Sequence, residues 1–237
     1  MSFISLLRQS RILNWCQLLD ALRPGSRVSF SQSGEDLILK YLFDALGVCA
    51  GTYVDIGAND PIRYNNTFIF YRSGWKGYCV EPQLNLCLQL KKTRPKDQIV
   101  KKGIAVEDGI LKFYRMEPDT LSTFSRDVAD RYVRVGHTLS GIEEVPVVSV
   151  RNFLGENPEA KKLDLLSIDI EGDEARIVTE FVAQGARPKV VVCETRAYSP
   201  DLKGCRETEK IESIRKLGYE VYADTFINTI FLDGALR

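Results

Sequence analysis

Five carboxylates stand where apolar runs of this sequence end: Asp55 in "YVDIGANDP" (53–61), Glu81 in "GYCVEP", Asp169 and Glu171 in "LLSIDIEGDE", and Glu194 in "KVVVCET". An acid at the mouth of a buried strand can accept hydrogen bonds from ligand hydroxyls, face a cation, or take a proton. Glu81 follows Asp55 at close to the separation of roughly 20 residues at which nucleotide-binding folds place a ribose carboxylate. The first loop does not suit a pyrophosphate. Dinucleotide loops follow G-x-G-x-x-G and turn their amides toward negative charge, whereas Gly57, Ala58 and Asn59 are flanked here by Asp55 and Asp60. Those acids suit a nucleoside carrying an ammonium and a sulfonium, which describes S-adenosylmethionine.

Asp169 and Glu171 flank Ile170, so extended backbone would send them to opposite faces. Glu194, on a neighbouring run, would approach Asp169. Grouped carboxylates raise one another's pKa and so make a base, or they hold a divalent cation such as Mg²⁺ through oxygen, with Asp169 and Glu194 as its ligands. Both readings stand at this level, as does a helix-capping role for Glu171. His137, the only histidine, is a further candidate base, set against an ordinary exposed loop histidine.

These acids need strands to position them, and the hydrophobic pattern supplies the strands. Helical periodicity over 35–46 ends at Gly47. Strand "TYVDIG", helix "NTFIFYRSG", strand "GYCVEP", helix "LNLCLQLKKT" and a third strand "QIVKKGIAV" follow in turn. "GILKFYRM" alternates as a half-exposed strand. Residues 117–145 read as irregular. Within them "RDVADRYVRV" is either a contact for an acceptor, through Arg131, Tyr132 and Arg134, or a solvated helix face. Strands "VPVVSV", "LDLLSIDIEG" and "KVVVCET" then alternate with helices over 173–185 and 207–218, and "YEVYAD" and "NTIFLDG" close as a hairpin. Such alternation implies one α/β domain with a parallel sheet and helices on both faces. The closing pair leaves no room for a helical crossover, so the last strand runs antiparallel. Ligands of such sheets bind beyond the carboxyl ends of the strands, which is where the acids fall.

The chain of 237 residues carries 32 basic and 32 acidic side chains, so no global field draws it to nucleic acid or an anionic membrane. Its six cysteines include no C-x-x-C pair, and one histidine makes a zinc site a poor fit. Cys79 and Cys193, inside apolar runs, read as buried free thiols, which together with the lack of a signal-peptide pattern suggests a reducing, cytoplasmic setting. No run approaches the roughly 18–20 apolar residues of a membrane span. Residues 1–30 read as an amphipathic helical extension, packed on its own domain, on a second subunit of a homo-oligomer, or in peripheral contact with a membrane.

"VDIGAND", the later "VEP", "GIAVEDGILKFY" and "LLSIDIEGDE", with "SQSGEDLIL" and "NNTFIFYRSGWKGYCVEP" upstream, resemble the FkbM family of S-adenosylmethionine-dependent methyltransferases. The resemblance implies a methyltransferase domain over 31–237 with the Rossmann-like class I fold, a mostly parallel seven-stranded sheet ending in an antiparallel hairpin. By position it implies that Asp55, Gly57, Ala58 and Asn59 line the methionine end of the cofactor. Glu81, with Pro82 behind it, would hold the ribose. Ile104 and Ala105 would border the adenine, Gln32, Glu35 and Asp36 would close over the cofactor, and Thr67, beside Asn66, would lie near it. Asp169 belongs to both the cofactor side and the catalytic side. The departure is Pro61, where many members have a second glycine, and it redirects the chain sooner. The implied reaction is O-methylation, typically of a sugar, glycan or glycoconjugate hydroxyl. A polyketide or other small natural product is the alternative acceptor. An RNA or protein acceptor ranks below both; against a nucleic-acid base, "IDIEG" stands where base-modifying enzymes usually carry an N/D-P-P-Y/F motif, and the chain has no net positive charge.

Overall fold

Runs without a polar face must be covered on both sides, and those ending at Asp55, Asp169 and Glu194 become the centre of a sheet. The structure, a computed structural model, describes residues 27–170, 172–196 and 204–236. Its first half holds α1 (Glu35–Ala45), β1 (Thr52–Ile56), α2 (Phe68–Arg72), β2 (Lys76–Val80), α3 (Leu84–Thr93), β3 (Gln98–Val100), β4 (Gly103–Ala105) and β5 (Gly109–Glu117). Then come α4 (Arg126–Arg134), β6 (Thr138–Ser149), α5 (Val150–Glu156), β7 (Leu165–Ile168), α6 (Glu174–Ala183), β8 (Val190–Glu194), α7 (Thr208–Lys216), β9 (Tyr219–Asp224) and β10 (Asn228–Asp233).

Seven strands form the main sheet in the order β3-β2-β1-β7-β8-β10-β9. All its pairs are parallel except those of β10, which runs antiparallel to both β8 and β9, as the short closing loop requires. Its two faces bury separate cores. Val54, Leu166 and Val191 pack under Phe153 of α5, Phe181 of α6 and Ile214 of α7. Tyr53, Leu165 and Val192 pack under Leu39 and Phe43 of α1, Phe70 of α2 and Trp75. Each such side chain contributes about 1.5–3 kcal/mol on burial.

The register fixes the site. Ile56 pairs with both Val80 and Ile168, and Ile168 pairs with Cys193. Gly57, Glu81, Asp169 and Glu194 therefore leave the sheet side by side.

Two expectations fail in the middle of the chain. The run 98–106 is not one strand. The chain turns at Lys101-Lys102, β3 stays in the main sheet, and β4 joins β5 and β6 in a separate three-stranded sheet ordered β4-β6-β5. Gly103 permits this departure, since a Cβ there would sit 2.5 Å from the Phe124 ring. Residues 117–145 are also more regular than their pattern suggests. They contain α4, whose Ser125 cap accepts a hydrogen bond from the Val128 amide, and most of a 12-residue β6 paired along β5. Residues 138–144 of β6 are almost wholly exposed, so no apolar alternation announces them, whereas β5 and the buried end of β6 read as strands. Tyr132 is fully buried against Met116 and Leu121 and is no acceptor contact.

The expected extension at 1–30 lies outside the described residues up to residue 26. Among the described residues no helix is long and apolar enough to cross a membrane. Cys79 and Cys193 are buried free thiols.

Candidate active site

A cavity of about 330 Å³ opens where the central strands end, within the size range of small-molecule sites. The ends of β1, β2 and β7 form one wall, and Phe113, Asp119 and Phe124 of the second sheet's unit form the other. Gly57 turns the chain at φ +78°, and a Cβ there would lie 1.8 Å from the Asp169 carbonyl oxygen, so only glycine fits. The Gly57 and Ala58 amides donate to the Val80 carbonyl at 2.9 and 3.2 Å. The Asn59 amide donates to Glu81 Oε2 at 3.0 Å, and the Gln83 amide to Glu81 Oε1 at 2.9 Å. Glu81 is thus clamped at the cavity wall with a second lone pair left on each oxygen. Burial pushes its carboxyl up to about 7, against these two amides and helped by the charges of Asp119 and Asp55.

Asp55 lines the cavity but faces the protein with one oxygen. Its Oδ2 accepts from Thr67 Oγ1 at 2.7 Å and Asn65 Nδ2 at 3.2 Å, and Arg94 Nη1 lies 3.9 Å away. Arg94 has no exposed surface. Its Nε donates to Asp97 Oδ2 at 2.7 Å, Nη2 to Tyr53 Oη at 2.9 Å and Thr67 Oγ1 at 2.8 Å, and Nη1 to Asn65 Oδ1 at 3.1 Å. The same Asn65 oxygen accepts the Thr67 and Phe68 amides at 3.0 and 2.8 Å, capping α2. Sequence reasoning singled out Asn66 and Thr67 and missed Asn65, Arg94 and Asp97. Asn66 does line the cavity, whereas Thr67 sits behind Asp55. The available signal was slight: an Arg and an Asp three apart in the basic run "KKTRPKD".

Asp169 follows β7 and lines the cavity. Its carboxyl is held above the ordinary range, by desolvation first and then by the Glu174, Asp55 and Glu35 carboxylates, with Lys210 opposing. Behind it Lys210 Nζ contacts Glu174 Oε2 and Glu207 Oε2, each at 2.5 Å, and donates to the Glu194 carbonyl at 3.2 Å. Those two acids hold Lys210 protonated despite its burial.

The other expected residues divide. Gln32, Ala58, Pro82 and Ile104 line the cavity. Ala105 follows Ile104 on β4 but is not part of the wall. Asp36 turns inward to bind Ser29 Oγ, the Phe30 amide and Ser31 Oγ, which fastens the segment carrying Gln32. Glu35 binds Thr225 Oγ1 at 2.6 Å and Asn228 Nδ2 at 3.0 Å, tying α1 to the β9–β10 hairpin. Glu194 is level with Asp169 but lies outside the cavity wall. His137 packs edge-on to Tyr132, with ring centroids 6.0 Å apart, away from the cavity. Glu171 lies outside the described residues. Among the described residues no group of three or more His, Cys, Asp or Glu side chains is placed to hold a metal ion, so the Mg²⁺ reading of Asp169 and Glu194 finds no third side-chain ligand there.

A seven-stranded sheet in this order, closed by an antiparallel hairpin and carrying a cavity at its carboxyl edge, defines a Rossmann-like methyltransferase. The chain belongs to the methyltransferase FkbM domain family, whose sequence model matches residues 55–221. Among solved structures it is similar to a TehB-like SAM-dependent methyltransferase from Corynebacterium glutamicum, at 14% identity and TM-score 0.37, covering 95% of this chain and 97% of that one. It is also similar to fibrillarin from Aeropyrum pernix in complex with S-adenosyl-L-methionine, at 12% identity and TM-score 0.41, covering 88% and 84%. No curated protein matches it by sequence.

Proposed function

We propose that this methyltransferase moves a methyl group from S-adenosylmethionine to a hydroxyl of a saccharide or glycoconjugate. The observation that carries the reading is the cavity itself, where Gly57, the clamped Glu81 and Asp169 meet at one level of the sheet. The residues present fit the donor. The remaining lone pairs of Glu81 can accept both ribose hydroxyls, Ile104 offers an apolar edge to the adenine, and Asp55 and Asp169 face the cationic end. Bound there, S-adenosylmethionine supplies an electrophilic methyl on a sulfonium.

Asp169 is the group placed to take the acceptor's proton. It lies at the cavity, and its raised pKa makes it a better base than an ordinary carboxylate. Glu174 and Lys210 sit behind it, with the ammonium moderating the rise. The walls favour a neutral polyol over a polyanion: Asp55, Glu81, Asp119 and Asp169 outnumber Arg63 and Lys102, and the chain has no net charge.

Calorimetry tests the donor: wild type binds S-adenosylmethionine, and Glu81→Ala weakens binding at least about tenfold. Release of S-adenosylhomocysteine with a panel of methyl glycosides, polyketide alcohols and RNA oligonucleotides tests the acceptor. Turnover with a glycoside is expected, and turnover only with RNA would falsify the saccharide reading.

A further inference from the structure

We propose that Arg63 holds the carboxylate of the donor's amino-acid end. The inference rests on the S-adenosylmethionine reading above and concerns the half of the ligand that the acids cannot serve. That end carries an ammonium, which Asp55 and Asp169 suit, and a carboxylate, which they repel. Glycine-rich loops meet such an anion with backbone amides, but from Gly57 to Arg63 this loop has turned its own inward. The Gly57 and Ala58 amides go to the Val80 carbonyl, and that of Asn59 to Glu81. Asp60 donates to Asn59 Oδ1, Pro61 has no N–H, and the Ile62 and Arg63 amides both go to Asp60 Oδ1. The short α2 offers little in their place, because Asn65 Oδ1 takes the Thr67 and Phe68 amides.

With those amides engaged, a cationic side chain is the stronger partner for a carboxylate, and the wall has two. Lys102 stands at the entry to β4 beside Ile104, 3.4 Å from Glu156. Arg63 is on the first loop, next to the residues that would surround the amino-acid end. Its guanidinium lies 5.3 Å above the centre of the Tyr64 ring. Tyr64 is exposed, at φ +54°, and its backbone is anchored on one side: the Asn65 amide donates to the Phe30 carbonyl, and Asn65 Nδ2 to the Ala58 and Asp60 carbonyls. A guanidinium carried on such a pedestal can offer two parallel N–H groups to a carboxylate.

Titration calorimetry with S-adenosylmethionine and with its decarboxylated form, which lacks only the carboxylate, tests this. Wild type is expected to prefer the carboxylated ligand. Arg63→Ala should lose about tenfold to a hundredfold for S-adenosylmethionine, and less than about twofold for the decarboxylated ligand. Arg63→Lys should recover part of the loss. Arg63 is exposed, and circular dichroism of both variants should match wild type. Equal losses for the two ligands, or none for either, overturn the assignment while leaving the donor intact. If wild type binds neither ligand, the donor reading falls and this inference with it.

Discussion

Glu81 is buried between two loops with both oxygens already hydrogen-bonded, and burial still lifts its carboxyl from 4.5 to about 7. The folded protein therefore takes up a proton between those values that the unfolded chain does not. Glu81's contribution to stability is fully present below about 4.5 and is lost as the pH rises through about 7. Comparison with Glu81→Gln removes every other titration: acidification from about pH 8 to pH 5 should stabilise wild type over the variant by on the order of 1–3 kcal/mol. At this chain length that is several degrees in Tm by thermal circular dichroism. A difference between the two proteins that does not change with pH would sink the idea. Ligand binding runs the other way. Ribose hydroxyls donate to the carboxylate, so affinity for S-adenosylmethionine should rise as the pH passes 7, with proton release on binding below it.

The loop after β1 owes its shape to an ion network that joins three elements. Arg94, just past α3, reaches Tyr53 on β1 and Asn65 and Thr67 at the start of α2, and its charge faces the buried Asp97 and Asp55. Arg94→Met leaves Asp97 without its cation in a site closed to water and removes the positive charge behind Asp55, at a cost of about 3–5 kcal/mol in urea unfolding. A loss below about 1 kcal/mol would show that the network positions the loop without stabilising it. The same elements show what could be read from the chain. Buried strands at 52–56, 165–168 and 190–194 are mostly apolar, with few polar residues inside them (Asp55 and Ser167 among these), so they and the acids at or near their ends were legible, as was the antiparallel closing hairpin. The Arg94 network was not, because its members are polar residues scattered between 53 and 97 that become neighbours only when α3 docks. The split of β3 from β4 was hidden for a related reason: "QIVKKGIAV" has the composition of one strand, and only the partner strand β6 decides where its second half pairs.

Across the whole molecule the cavity lies between two sheets of unequal stability. β7, β8 and β10 are buried at every position and covered on both faces. β5 and the first half of β6 are exposed over much of their length and rest on a small cluster around Met116 and Tyr132, while the end of β6 is buried and joins the main core through Val148. Local opening follows buried apolar contact, so the second sheet should open without the first. Ile104 of β4 and Val148 of β6 join it to the main core, and within it Gly103 lies against Phe124, which packs on Phe113 with ring centroids 4.8 Å apart. Because Phe113 and Phe124 also line the cavity, a ligand bound there would hold the two sheets together. Hydrogen exchange read by mass spectrometry should find peptides of β5 and β6 exchanging at least about tenfold faster than those of β1, β7 and β8. Adding S-adenosylhomocysteine should slow the former and leave the latter unchanged, since only the weaker sheet has an opening for the ligand to close. Simultaneous exchange of both sheets would mean one cooperative unit, and the ligand would then protect them equally.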